Sequence, residues 1–348
     1  MADPLLSVRD LHVRFDGDDG TVRAVDGVDF DVRTGETVCL VGESGSGKTV
    51  ACESITRLIS TESAEITGEV RFDGTDLTAL SESALESYRG GRIGHVFQNP
   101  QDALDPVYTV GAQVVEAIRI HRDVSKSAAR AEAIELLDRV GIGDVTERFD
   151  DYPHQFSGGM KQRAVVAMAL ACDPDILIAD EPTTALDVTI QRQVLELLAD
   201  LQEEREMALL FVTHDLGVVA EVADRVVVMY AGNVMETADV YELFDAPAHP
   251  YTRALLDCLP GRGEGFETIG GAIPDPTDPP AGCRFRPRCP HAIPECEGGD
   301  QPGFRPVGPA DGEADGDGAN ETGPVEHRVS CVLYDDTHGV PSDLEGGR

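Results

Sequence analysis

The residues best equipped for chemistry are Gly42-Glu43-Ser44-Gly45-Ser46-Gly47-Lys48-Thr49, which directly follow the apolar run Thr37-Val38-Cys39-Leu40-Val41. Glycines in such a turn reach conformations closed to residues with a Cβ, so consecutive backbone N–H groups can point inward at an anion. A helix starting near Lys48 adds the positive end of its dipole. At this spacing the Lys48 ammonium reaches the outer phosphates of a nucleoside triphosphate, and the Thr49 hydroxyl is placed for Mg2+. The plainer alternative is a glycine-rich strand-to-helix turn with a chance lysine. It is disfavoured because every fixed position of the phosphate-cradling pattern is met. Lys48 is also one of only three lysines in the chain, with Lys126 and Lys161.

A second group lies downstream. Ser157-Gly158-Gly159-Met160-Lys161-Gln162-Arg163 offers exposed N–H groups at a helix start, a geometry suited to a phosphate. The apolar run Ile176-Leu177-Ile178-Ala179 then ends in two carboxylates, Asp180 and Glu181. Gln98, in Val96-Phe97-Gln98-Asn99-Pro100, and His214, in Val212-Thr213-His214-Asp215, also stand where strands end. Singly, each has a bland reading: a solvated glutamine, a structural histidine, a surface carboxylate. Their order, and their placement at strand ends where open α/β sheets bind ligands, favours a joint nucleotide site.

The elements that must position these groups are legible in the hydrophobic pattern. Leu5 to Phe15 and Val22 to Val32 alternate apolar and polar residues around the turn-forming Asp16-Gly17-Asp18-Asp19-Gly20, which predicts antiparallel strands. From Glu36 onward, short apolar strands alternate with helical segments such as Ser127 to Val140 and Ile190 to Glu204. That alternation predicts an α/β fold with a mostly parallel sheet covered by helices. Ile176 to Ala179 and Ala208 to Val212 read as sheet-centre strands, and Val165 to Cys172 as a short buried helix. The periodicity breaks near Ala246-Pro247-Ala248-His249-Pro250, which places one domain at 1–250 and a small extension at 251–348. In the extension, Pro309 to Gly318 is acidic and glycine-rich and reads as a disordered loop.

Composition narrows the class. A chain of 348 residues holds a large domain and a smaller one. Its formal charge of −36 and pI near 4.4, without a basic patch, argue against nucleic acid as a partner. An acidic surface with arginine in place of lysine is the expectation for a protein working in concentrated salt, where screening removes self-repulsion. No window approaches the roughly 20 apolar residues of a membrane span. Met1-Ala2-Asp3-Pro4 has neither a basic nor an apolar leader region. A cytoplasmic location follows as the expectation, with any membrane role supplied by partner subunits.

Taken together, these motifs closely resemble the ATP-binding subunit of an ABC transporter over nearly the whole chain. The resemblance implies a P-loop NTPase cassette: a mixed sheet with an antiparallel β subdomain and a helical subdomain, here followed by a small Cys-rich C-terminal extension. It implies ATP and Mg2+ as cofactors, with Gly42 to Thr49 on the phosphates and Thr49, Gln98 and Asp180 on the metal. Glu181 is positioned like the carboxylate that polarises the attacking water, and His214 like the switch histidine beside the γ-phosphate. Ala185-Leu186-Asp187 resembles the D-loop. Phe15 resembles the aromatic that stacks on adenine, although a strand-end phenylalanine is also commonly core. Ser157, Gly158 and Gly159 resemble the signature that reaches ATP bound by a facing subunit, with Met160 where the family at large more often has glutamine. The chain is therefore expected to pair, with itself or with a second ABC ATPase subunit, beneath two transmembrane permease subunits. An extracytoplasmic solute-binding protein would act indirectly.

The extension resembles that of oligopeptide and dipeptide importers. Gly282-Cys283-Arg284-Phe285-Arg286-Pro287-Arg288-Cys289-Pro290, Cys296, and His327-Arg328-Val329-Ser330-Cys331 bring four thiols to a loop-rich segment. The resemblance points to a [4Fe-4S] cluster at Cys283, Cys289, Cys296 and Cys331; by spacing alone Zn2+ fits equally. Cys39, Cys52, Cys172 and Cys258 read as buried inert thiols. The implied function is an ATPase that powers import of di- or oligopeptides, with nickel or oligosaccharide cargo as the alternative. A chromosome-maintenance or DNA-repair ABC ATPase would need a coiled coil or metal-binding insertion that this sequence lacks.

Overall fold

A computed structural model describes residues 3–17, 20–59, 63–98, 103–183, 187–259, 269–307, 326–335, 340–341 and 344. The acidic run Pro309 to Gly318 and the D-loop residues Ala185 and Leu186 lie outside them. The chain divides into two compact units, Met1–Asp31 with Thr37–Thr78 and Thr213–Arg348, and Val32–Glu36 with Ala79–Val212.

In the first unit, strands Gly20–Val32, Leu6–Gly17, Glu65–Phe72 and Thr75–Asp76 form a four-stranded sheet in that order. Leu6, Val8, Leu11 and Val13 are fully buried, so the inward parity changes between Val8 and Leu11. The structural reason is a break in register between Arg9 and His12, where Asp10 adopts φ 47°. One extra residue keeps the same face inward on both sides of the irregularity.

The unit's other strands run in the order Arg305–Pro306, Arg328–Val329, Asn233–Asp239, Arg225–Tyr230, Thr37–Val41. Thr37–Val41 lies parallel to Arg225–Tyr230, while the remaining neighbours are antiparallel. The sheet is thus mixed rather than mostly parallel at this end. The antiparallel pair follows from a two-residue hairpin at Ala231-Gly232, both at positive φ, the backbone twist that tight hairpins favour. The wholly buried Glu236 carboxylate accepts from the Ala248 and His249 N–H groups, each at 2.7 Å, and pairs with His327 Nε2 at 2.7 Å. A buried carboxylate is tolerable only when its lone pairs are so occupied. Here it ties the strand around Arg328 to the chain entering helix Pro250–Asp257.

In the second unit, strands Ile93–Val96, Ile176–Asp180 and Ala208–Thr213 are parallel, with Val96 beside Ala179 and Asp180 beside Val212. The last two are buried throughout, as continuous apolar runs in a two-sided sheet should be. Helices Val110–His121, Lys126–Arg139, Gly158–Ala169 and Val188–Arg205 each begin at a side-chain cap, from Thr109, Ser125, Ser157 and Asp187 respectively. These caps occupy N–H groups that have no partner within the helix. The expected buried segment Val165 to Cys172 is helical only to Ala169.

Candidate functional site

The phosphate-cradling loop lies wholly in the first unit. Its strand, Thr37–Val41, is sealed in the core, and helix Lys48–Ile55 leaves from Gly47, which makes no side-chain cap bond. Gly47 adopts φ 97°, and a Cβ there would lie 2.3 Å from the Ala24 carbonyl oxygen, so both conformation and space require glycine. Lys48 is buried, and its ammonium donates to the carbonyls of Gly42 at 2.8 Å and Glu43 at 2.9 Å and to Ser46 Oγ at 3.2 Å. The loop closes on itself through Ser46 N–H to the Glu43 carbonyl, and it is fastened to the hairpin by Gly232 N–H to the Ser46 carbonyl. Ser44 and Gly45 are exposed, while Thr49 is half-buried in the first helical turn.

One support of this loop escaped the sequence reading. The Glu43 N–H donates at 3.0 Å to the hydroxyl of Tyr251, a fully buried residue 208 positions away. Burial pushes the Tyr251 phenol well above its ordinary pKa, so the hydroxyl stays neutral. No local pattern could have signalled this contact.

In the same unit, Phe15 is half-buried on strand Leu6–Gly17, in line with the fully buried Leu11 and Val13. His214 is exposed. It precedes Asp215, whose N–H donates to Thr213 Oγ1 at 3.0 Å and whose carboxylate caps helix Leu216–Val222 through Gly217 N–H at 2.8 Å.

The second unit carries the carboxylates. Asp180 is buried at the end of its strand, and Glu181, half-buried, leaves the strand at φ 45°. A glutamate in this left-handed region is strained, and such strain concentrates at functional sites. The Glu181 N–H bonds to the Val212 carbonyl at 2.9 Å, which holds the turn. Gln98 Nε2 donates to the Glu181 carboxylate at 3.0 Å, so the structure joins two residues that stand 83 positions apart. Ser157 caps helix Gly158–Ala169 by accepting from Met160 N–H at 3.3 Å. Gly158 faces open space, whereas a Cβ on Gly159 would meet the Ile190 side chain at 2.7 Å. Asp187 accepts from Ile190 N–H at 3.0 Å.

The four cysteines proposed as metal ligands, Cys283, Cys289, Cys296 and Cys331, require a correction. They lie near enough to affect one another electrostatically, but desolvation is the larger influence. It raises the Cys283 thiol, takes Cys289 up to about 11 and Cys331 up to about 12. Among the described residues, no three His, Cys, Asp or Glu side chains converge as a metal centre requires. Cys331 packs instead in an apolar cluster with Ala248, Val329, Leu333 and Leu344. The Cys-rich extension as a metal module is therefore not supported by this geometry. Of the other thiols, Cys39 and Cys52 are buried as expected, Cys172 is half-buried, and Cys258 is exposed. Cys258 faces outward from the end of helix Pro250–Asp257, its thiol bonded to the Ala254 carbonyl at 3.1 Å.

Comparison with known proteins defines the class. Residues 25–184 match the ABC transporter family, and residues 235–296 match the oligopeptide/dipeptide transporter C-terminal region. The chain belongs to the family of ABC transporter ATP-binding proteins, which are ATPases. It is 51% identical over 300 residues to a probable peptide ABC transporter ATP-binding protein of Sinorhizobium fredii, covering 85% of this chain and 90% of that protein. It is 50% identical to a dipeptide transport ATP-binding protein of Bacillus subtilis, covering 84% and 89%. A solved dimeric ATP-binding cassette, in a post-hydrolysis state bound to ADP and Pi, superposes with a TM-score of 0.61 at 28% identity, covering 68% of this chain and 98% of that one. Among the described residues no helix is long and apolar enough to cross a membrane.

Proposed function

We propose that the chain is the ATP-hydrolysing subunit that powers import of di- or oligopeptides through partner membrane permeases, at whose inner face it sits peripherally. The observation that carries this reading is the combination, in one chain, of a complete phosphate-cradling loop with a C-terminal region of the oligopeptide/dipeptide transporter type. Its relatives of about half-identical sequence carry names of peptide and dipeptide transport.

In this reading the loop Gly42 to Thr49 binds the phosphates of ATP, with Lys48 supplying the positive charge, and Phe15 stacks on the base. Thr49, Asp180 and Gln98 are assigned to Mg2+; a hydroxyl, a buried carboxylate and an amide oxygen are the hard donors that ion takes. Mg2+ supplies neutralisation of phosphate charge. Glu181 orients the attacking water, Gln98 holds the Glu181 carboxylate, and His214 lies beside the terminal phosphate. Ser157, Gly158 and Gly159 serve the ATP of a facing ATPase subunit, which is either a second copy or a related chain. The functional boundary is taken at 250, with the extension 251–348 specific to the importer subclass. Selection of cargo lies with the solute-binding protein and permeases, so nickel or an oligosaccharide is the alternative cargo.

Two finer readings belong to the same proposal. A [4Fe-4S] cluster, or Zn2+, at the four thiols rests on their soft chemistry alone and is opposed by their lack of convergence. Iron, sulfide and zinc analysis of anaerobically purified protein decides it. Adaptation to concentrated salt is supported by the charge of −36, and equal folding and activity in dilute buffer and molar KCl would remove it.

The deciding experiment is uptake of a labelled dipeptide, a longer peptide, nickel and an oligosaccharide in cells lacking the chain, restored with wild type or Lys48→Ala. Peptide uptake recovered only by wild type is the expected result. Unchanged peptide uptake with loss of metal or sugar uptake would replace the cargo.

A further inference from the structure

Beyond Tyr251, the C-terminal segment reaches the phosphate-cradling loop through the buried side chain of Arg288. Arg288 ends the 3-10 turn Arg286–Arg288, just before Cys289, and its side chain is 3% exposed. Its Nη1 donates to both carboxylate oxygens of Glu43, at 2.9 and 3.2 Å, across 245 positions of sequence. Each of the three guanidinium nitrogens has a partner. Nη1 also meets the Tyr230 hydroxyl at 3.2 Å, Nε donates to the Gly270 carbonyl at 2.8 Å, and Nη2 donates to the Ile269 carbonyl at 3.0 Å. Phe285, fully buried three residues earlier, packs edge-on against Tyr230 with centroids 5.3 Å apart, and at the same separation against Tyr251. The turn is therefore seated by packing as well as by charge.

Glu43 is held by every polar group it owns. Its N–H goes to Tyr251, its carbonyl accepts from the Lys48 ammonium, and its carboxylate takes Arg288. The loop carbonyl that orients Lys48 is thus on the residue that the C-terminal segment grips. We propose that Arg288 is a positioning residue for nucleotide binding, fixing Glu43 and through it the shape of the loop and the direction of Lys48. This rests on the reading of the loop as the ATP site. A planar guanidinium bound on all three nitrogens has a fixed direction that an ammonium on a flexible stem does not reproduce.

The test measures Mg-ATP affinity, steady-state KM and kcat, and urea unfolding without nucleotide for wild type, Arg288→Gln, Arg288→Lys, Glu43→Gln and the double Gln variant. Loss of one partner of a charged hydrogen-bonded pair is expected to raise Kd and KM about tenfold, while kcat changes less than about threefold. Arg288→Lys is expected to recover part of that loss. The double variant is expected to be no worse than either single one, as residues acting through one contact should be. Arg288→Gln or Glu43→Gln binding ATP like wild type, or losses that add in the double variant, would overturn the proposal, as would a loss of stability with unchanged Kd. Should Arg288→Gln fail to fold, Glu43→Gln decides alone, because it leaves the C-terminal turn in place. Wild type that binds no ATP would instead overturn the functional reading beneath it.

Discussion

Two glycines of one loop separate backbone strain from steric exclusion. Gly45 adopts φ 81° with nothing within 4 Å of the place a Cβ would occupy; Gly47 adopts φ 97° with the Ala24 carbonyl oxygen 2.3 Å from that place. Alanine at Gly45 meets only the left-handed penalty, about 1–2 kcal/mol, offset by about 0.4–1 kcal/mol from a less flexible unfolded chain. The net destabilisation is about 1 kcal/mol. Alanine at Gly47 bears the same cost and must also open an approach about 1 Å shorter than an ordinary carbon–oxygen contact. The Ala24 oxygen cannot swing aside, since its neighbours Arg23 and Asp26 are bonded through their N–H groups to the carbonyls of Pro276 and Gly232, at 3.0 and 2.8 Å. Overpacking of this kind adds about 1–3 kcal/mol. Urea unfolding without nucleotide, at unchanged slope, is the assay. Gly47→Ala is expected to lose about 1–3 kcal/mol more than Gly45→Ala. Equal losses, or a Gly47→Ala protein as stable as wild type, would refute the argument.

The remaining expectations concern catalysis and pH. Glu181→Asn replaces a strained left-handed glutamate with a residue that tolerates that region. ATP turnover, followed by phosphate release, is expected to fall about 10²–10⁴-fold, while urea stability stays within about 1 kcal/mol of wild type or rises. Near-normal turnover would remove Glu181 from its role. His249 is buried, and desolvation lowers its pKa to about 4, so it folds neutral, with Nδ1 accepting the Tyr251 N–H at 3.0 Å. Because the folded value lies below the unfolded one, its contribution is complete above about pH 6.5 and is lost as pH falls toward 4. His249→Gln is expected to flatten the fall in stability across that window by up to about 3 kcal/mol. Parallel pH profiles of the two proteins would show that the imidazole is not the group titrating.

What the sequence made legible is what short-range physics writes. Thr37–Val41 and Ile176–Asp180 are continuous apolar runs because both faces are covered, and Ser157 marks a helix start because a capping side chain acts on N–H groups within three residues. The loop Gly42 to Thr49 is readable for the same reason: its chemistry is local. The irregularity at Asp10 was invisible because it shifts parity without changing composition. The cysteine spacing suggested ligands, whereas placement of Cys331 in an apolar cluster depends on Ala248, far off in the chain. Glu43 is the sharpest case. The phosphate-loop pattern leaves that position unspecified, so in sequence it looks free to vary. In the fold its three polar groups are bound by Tyr251, Lys48 and Arg288, two of them more than 200 positions away. A consensus fixes only what every member shares with the nucleotide. The support that this chain gives its loop from the C-terminal segment must be read from coordinates.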